Sequence, residues 1–88
     1  MNVEVSVLDL LEKEKHTVHD YNRELSSVEL WEKELSRCMK YANLNPEDSY
    51  WEKVSTEYRQ KIEAATEKAQ NLMTQIQQIR SQIHEKIL

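Results

Sequence analysis

Apolar residues recur every three or four positions along almost the whole chain, and a single Asn45-Pro46 step interrupts them. This period is typical of amphipathic helices, and its seven-residue repeat is typical of helices that pack on other helices. Glu32 falls on a position of the repeat that otherwise holds predicted core residues, while Trp31 and Cys38 occupy the position one residue before it in the repeat. The stripe is therefore wider than a two-stranded coiled coil needs, which favours a bundle. The predicted core rows of this half are Leu11, Val18, Leu25 and Met39, and Val7, Tyr21, Val28, Leu35 and Ala42.

The second half of the chain repeats the pattern more regularly, up to the last residues of the sequence. Val54, Met73 and Ile87 widen its apolar face. We predict a single domain, 1–88, with a first helix at about 6–43, a turn at about 44–46 and a second helix at about 46–87. The predicted core rows of the second helix are Ile62, Ala69, Ile76 and Ile83, and Trp51, Tyr58, Ala65, Leu72 and Ile79.

Local signals at both helix starts support these bounds. Ser6 is placed to cap the first helix, because a serine oxygen can accept a hydrogen bond from the free amides of a first turn. Asn45 is a suitable cap for the second helix, and Pro46 suits its first position. Leu44 and Tyr50 would then meet as a hydrophobic staple across the cap.

Two arms of nearly equal length with a short connection predict an all-α fold in which two long helices form an antiparallel hairpin. The alternative is one continuous bent helix. A lone hairpin has a single line of helix contact, and its stripes are too wide for that line. We therefore expect a coiled-coil or four-helix bundle assembly, made with a second copy of the chain or with another helical protein.

The charge pattern narrows the classes of partner. The net charge is −4, with nine acids and six bases in residues 1–44 and seven acids and six bases in residues 45–88. Because neither half has a basic block, we expect no nucleic-acid partner. No apolar run is long enough to span a bilayer, so we expect no membrane insertion. A cytoplasmic location is predicted, with a nuclear location or export without a cleaved signal left open.

The end of the second helix is unusual for this chain because residues 69–84 contain five glutamines and only one charged side chain, Arg80. Solvent-facing positions elsewhere are rich in Glu and Lys. An apolar and amide surface is typical of a helix that another helix covers, although Gln is also simply a good helix former. The predicted protein-interaction residues are Leu72, Met73, Ile76, Ile79, Ile83, Ile87, Leu11 and Val18.

Small and aromatic residues suggest how the two helices fit together. Ala64, Ala65 and Ala69 form a narrow waist in the second helix, and we expect Tyr21 and Leu25 to fill the space opposite. Trp31 and Trp51 lie on either side of the turn. Core packing near the end of the hairpin is their favoured role, and anchoring a partner is the alternative.

Candidate chemistry is sparse. His16 and His19 stand three residues apart beside Asp20, but the spacing of a zinc helix and a third ligand are missing. Cys38 lies between basic residues at the edge of the apolar stripe, where a buried structural thiol is favoured over a reactive one. The chain has no glycine for a phosphate-binding loop. We expect no catalytic residues, no metal and no cofactor, so the sequence does not predict an enzyme.

The leading functional hypothesis is a non-enzymatic structural or adaptor subunit that acts through coiled-coil contacts and oligomerisation. The alternative is a small helical protein of a bacterial secretion system. In size and layout the chain resembles needle subunits, their chaperones and WXG100-type secreted proteins. WXG100-type proteins carry a Trp-x-Gly tripeptide. That tripeptide has no match here, because Trp51 is followed by Glu52 and Lys53.

Overall fold

A computed structural model describes residues 6–88 as two long α-helices packed antiparallel. Helix α1 runs Val7–Leu44 and helix α2 runs Ser49–Ile87. The hairpin is extended, with dimensions of 67 × 20 × 15 Å. The all-α antiparallel hairpin predicted from the sequence is thus confirmed, and the continuous bent helix is wrong. Assembly with a further chain stays a prediction.

Helix α1 starts as the sequence predicts, but α2 starts later. The Ser6 hydroxyl oxygen accepts a hydrogen bond from the Asp9 amide at 3.1 Å, which confirms the first cap. The prediction that Asn45 caps the second helix was wrong. Asn45 instead ends α1, and its amide donates to the Tyr41 carbonyl at 3.0 Å. The cap of α2 is Asp48, whose carboxylate accepts from the Tyr50 amide at 3.0 Å.

The physical reason for the shift is a β-turn over residues 45–48. The Asp48 amide donates to the Asn45 carbonyl at 3.0 Å, and Pro46 occupies the second turn position, where its fixed φ is favoured. Pro46 therefore begins a turn rather than a helix. With the cap at Asp48, the two staple positions become Glu47 and Glu52. The predicted staple of Leu44 on Tyr50 was wrong, and both of those side chains are exposed.

Contacts between the helices fix their register from the turn to the open end. Near the turn, the rings of Tyr41 and Trp51 lie 4.7 Å apart between centroids. In the middle, Lys68 pairs with Glu24 at 3.0 Å. Towards the open end, the guanidinium of Arg80 donates to the Glu14 carboxylate at 2.9 Å. The two helices therefore run side by side over most of their length.

The contact line of α1 lies one residue away from one of the predicted core rows. Leu10, Thr17 and Cys38 are its buried residues, and all belong to the heptad row that contains Trp31. Thr17 is tolerated there because its hydroxyl donates to the Lys13 carbonyl at 2.7 Å. The prediction of a core row through Leu11, Val18, Leu25 and Met39 was wrong: Leu11, Leu25 and Met39 are exposed and Val18 is half-buried.

Helix α2 follows its predicted rows closely. Its buried residues are Ser55, Ala65, Ala69, Ile76 and Ile79. The Ser55 hydroxyl donates to the Trp51 carbonyl at 2.8 Å, so its polar group is satisfied within the helix. The alanine waist is confirmed at Ala65 and Ala69, but Ala64 is exposed and does not belong to it.

Candidate protein-interaction surface

The hairpin has two long sides, and an apolar groove lies in the middle of one of them. Tyr21, Leu25 and Val28 of α1 form one wall, and Met73 forms part of the other. The groove encloses about 420 Å³. We call this surface the Leu25 side; it comprises Leu11, Val18, Tyr21, Leu25, Val28, Glu32 and Met39 of α1 with Thr66, Ala69, Gln70 and Met73 of α2.

The alanine waist creates this groove. Ala69 is buried at its floor and has no side chain beyond Cβ. Tyr21 and Leu25 stand beside it, as the sequence predicted, but they do not fill the space. Leu25 remains 43% exposed and Tyr21 is half-buried. A hollow between two apolar walls can accept a side chain from another helix.

A row of exposed apolar residues extends the groove in both directions along α1. Leu11 is 45% exposed and Met39 is 43% exposed, at positions fourteen residues before and after Leu25. At about 1.5 Å per residue the row is roughly 40 Å long. Single exposed leucines are ordinary on protein surfaces. Here Leu11, half-buried Val18 and Leu25 follow one another at heptad spacing, and exposed Glu32 interrupts the row before Met39. Apolar residues grouped on one helix face are typical of an interface.

The opposite long side is mostly charged at its centre. Its central groove, of about 210 Å³, is lined by Asp20, Arg23, Glu24, Lys68 and Leu72. The ion pair of Lys68 with Glu24 lies here. Leu30 follows Arg23 by one heptad and is 58% exposed. It is therefore an exposed leucine of α1 outside the Leu25 side.

Aromatic residues cluster at the turn end. Trp51 contacts both Tyr41 and Tyr50, with ring centroids 4.7 Å and 5.1 Å away. Trp31 lies farther from the turn on α1, and the Lys61 ammonium is 6.0 Å from the centroid of its ring. Both tryptophans are half-buried between the helices, which supports core packing as their role.

Arg37, on α1 near the turn, has a shifted pKa. A hydrogen bond to the Tyr41 side chain, followed by the nearby Glu34 carboxylate, raises the pKa of Arg37 above its ordinary value. An arginine is protonated in any case at physiological pH. Arg37 is thus a fixed positive charge and offers no pH-dependent switch.

The structure does not bring the eight predicted interaction residues together on one surface. Ile76 and Ile79 are buried within the hairpin, and Leu72 and Ile83 are half-buried. Ile87 is exposed near the end of α2. Leu11, Val18 and Met73 do belong to the Leu25 side. Contact of any of the eight with a partner stays a prediction.

Burial of the isoleucine row changes how the glutamine-rich segment is interpreted. Its strongest apolar residues, Ile76 and Ile79, are buried within this chain's own hairpin. The five glutamines of residues 69–84 are all exposed. An outer surface of neutral amides does not by itself supply an apolar contact for a partner. The Leu25 side does supply such a contact, through its exposed side chains and its groove.

Sequence reasoning assigned Leu25, Met39, Tyr21 and Val28 to the core and did not include them among the interaction residues. The signal that separates them is the position of Trp31 and Cys38, which marks the row where α1 meets α2. A tryptophan removes more apolar surface from water on burial than any residue of the competing row. The neighbouring row, through Leu11 and Leu25, is then left exposed.

Residues considered for chemistry lie apart from the Leu25 side. His16 and His19 are exposed on α1, and residues 6–88 contain no group of three side chains able to hold a metal ion. Cys38 is a free thiol and is buried, which confirms its predicted burial.

Within residues 6–88, neither helix contains a stretch long and apolar enough to cross a membrane. No protein-family model, curated protein or solved structure matches the chain.

Proposed function

We propose that this chain is a non-enzymatic structural or adaptor subunit that binds a helical chain on its Leu25 side. The bound chain is a second copy or a different helical protein. The mechanism is helix-on-helix packing, in which side chains of the partner enter the groove at Ala69 and cover the exposed row of α1.

The observation that carries this proposal is the exposed row of Leu11, Leu25 and Met39 beside an apolar groove. The apolar stripe of α1 spans three neighbouring heptad rows, but α2 covers only two of them. One neighbouring helix offers one line of contact. The uncovered row is therefore a surface that a further helix can complete.

Burial of the exposed row would stabilise a complex by a free energy typical of reversible association. Full burial of a leucine or methionine side chain is worth roughly 1.5–3 kcal/mol. Because the three side chains of the row are already about half covered, each would contribute on the order of 1 kcal/mol. Such a row supports reversible association, and filling the groove adds contacts that an empty groove lacks.

Site-specific photo-crosslinking in the cells that make the chain tests this proposal. Benzoylphenylalanine replaces Leu25 in one variant and Leu30 in the matched control, and adducts are purified and identified by mass spectrometry. We expect a discrete adduct from position 25 and much less from position 30, because only position 25 lies in the groove.

The adduct mass separates the two kinds of partner. A product at twice the 10.5 kDa chain mass indicates a second copy, and any other discrete product indicates a different protein. If position 25 gives no discrete adduct, or gives the same products as position 30, then the Leu25 side is not a docking surface and the proposal is wrong.

A further inference from the structure

We propose that the Leu25 side pairs with the same side of a second copy, with the two α1 helices antiparallel and Leu25 on the two-fold axis. This inference rests on the proposed function and names its partner. The two hairpins would then form a four-helix bundle with their turns at opposite ends. Such an interface is isologous, so each contact occurs twice.

The spacing of the exposed row fits a two-fold axis. Helix α1 runs Val7–Leu44, so Leu25 lies at its midpoint. Leu11 and Met39 lie fourteen residues to either side. When a second α1 packs antiparallel with Leu25 on the axis, each Leu11 meets Met39 of the other copy. The three exposed apolar residues thus all meet apolar partners.

Charge complementarity supports the same arrangement. Val18 and Glu32 lie seven residues to either side of Leu25, so Glu32 approaches Val18 of the second copy. Lys15 lies one turn from Val18 and would stand beside that carboxylate. Lys15 and Glu32 are both exposed, and neither joins an ion pair within residues 6–88. They are seventeen residues apart on one helix, roughly 25 Å, so they cannot pair within one chain.

The other two-fold arrangement places the turns at the same end and α1 on α2 of the second copy. Leu25 would then approach the α2 residues that line its groove, which include Thr66 and Gln70 as well as Ala69 and Met73. Met39 would approach the segment of Glu52, Ser55 and Arg59. Because Arg80 pairs with Glu14, Leu11 would lie level with about Ile83, one turn further along α2. In this arrangement Met39 meets mainly polar side chains, and Leu25 meets a mixture of polar and apolar ones. The antiparallel α1 pair gives Leu11, Leu25 and Met39 an apolar partner each and is favoured for that reason.

The Leu25 side is large enough for an interface of ordinary size. The hairpin measures 67 Å in length and 20 Å in width, so its side is larger than the roughly 800 Å² per partner of a standard interface. A second copy of equal length covers the whole row from Leu11 to Met39, including the groove at its middle.

A disulfide across the axis tests the geometry. The purified chain carries Cys38→Ala to remove its own thiol, together with Leu25→Cys or, as the control, Leu30→Cys. Two cysteines can be bridged only when their Cα atoms approach to about 4.4–6.8 Å. We expect mild oxidation to convert most of the Leu25→Cys chain to a covalent dimer and little of the Leu30→Cys chain.

A charge-swap cycle tests the same arrangement without any cysteine. Lys15→Glu and Glu32→Lys each place like charges together twice in the dimer, and we expect each to weaken dimerisation about tenfold. The double variant restores opposite charges and is expected to restore the affinity. Circular dichroism of each variant checks that the exposed substitutions leave the helices intact.

The outcomes distinguish this inference from the proposed function. A dimer without the Leu25→Cys disulfide, or without recovery in the double variant, overturns the antiparallel α1 arrangement and leaves docking on the Leu25 side in place. A monomer that still gives photo-adducts with another protein from position 25 overturns pairing with a second copy. Absence of adducts from position 25 overturns both.

Discussion

Replacing Ile76 with alanine is expected to lower the free energy of unfolding by roughly 2–5 kcal/mol. Ile76 is 1% exposed and is the most completely buried large side chain of the described residues. The described hairpin has few other buried side chains to compensate, and whole domains are stable by only about 5–15 kcal/mol. Urea denaturation followed by far-UV circular dichroism, at one fixed protein concentration, measures the loss.

Two companion variants make this result interpretable. Ile76→Val removes one methyl group, and its expected cost of about 0.5–1.5 kcal/mol gives a graded effect if the alanine variant unfolds completely. Ile87→Ala is the matched control because Ile87 is 65% exposed, and its expected cost is within about 0.5 kcal/mol. If Ile76→Ala costs no more than Ile87→Ala, the seam between the helices is wrongly placed.

Replacing Leu25 with aspartate is expected to abolish association of the Leu25 side with its partner. Each copy of a symmetric pair would carry the change, so two charges would face each other on the axis in apolar surroundings. Burial of an unpaired charge is among the most costly changes to an interface. We expect at least a hundredfold loss of affinity, measured by light scattering over a concentration series.

The matched control is Leu30→Asp, the same substitution on the same helix at a residue outside the groove. Because both leucines are substantially exposed, both variants should retain the helical signal of the parent chain. Equal affinity of the two variants would contradict docking on the Leu25 side. The double change Ile76→Asp and Ile83→Asp does not serve this purpose, because a charge at buried Ile76 would disrupt the hairpin itself.

The fold follows from the sequence because helix periodicity and a single proline leave few alternatives. The start of α2 does not follow as simply, since an Asn-Pro pair suits both a helix cap and a β-turn. The choice depends on Asp48, which offers a second cap three residues later. Local signals at residues 45–48 therefore agree that the chain reverses, but not on the residue where the helix begins.

The candidate surface was harder to predict than the fold. The sequence shows that the apolar stripe of α1 is too wide for one neighbour, but not which row the neighbour covers. The most apolar row, through Leu11 and Leu25, is the natural candidate for the core. The hairpin instead buries the row of Trp31 and Cys38, and the more apolar row remains outside. Which row of α1 becomes buried depends on how the two helices pack together.

The functional alternatives also share their structural basis. An extended hairpin suits an adaptor subunit and equally suits a small helical protein of a bacterial secretion system. The secretion hypothesis therefore stays a prediction, and an adduct with a different protein from position 25 would decide between them. Both hypotheses are compatible with a partner helix on the uncovered row.

The central claim is that the hairpin alone leaves apolar surface that a second copy covers. The most direct measurement is the molar mass of the unmodified chain by light scattering, combined with thermal unfolding at several concentrations. We predict a mass of twice the 10.5 kDa chain and a melting temperature that rises with concentration, since association stabilises the folded state. A single-chain mass with cooperative unfolding that is independent of concentration would contradict the claim.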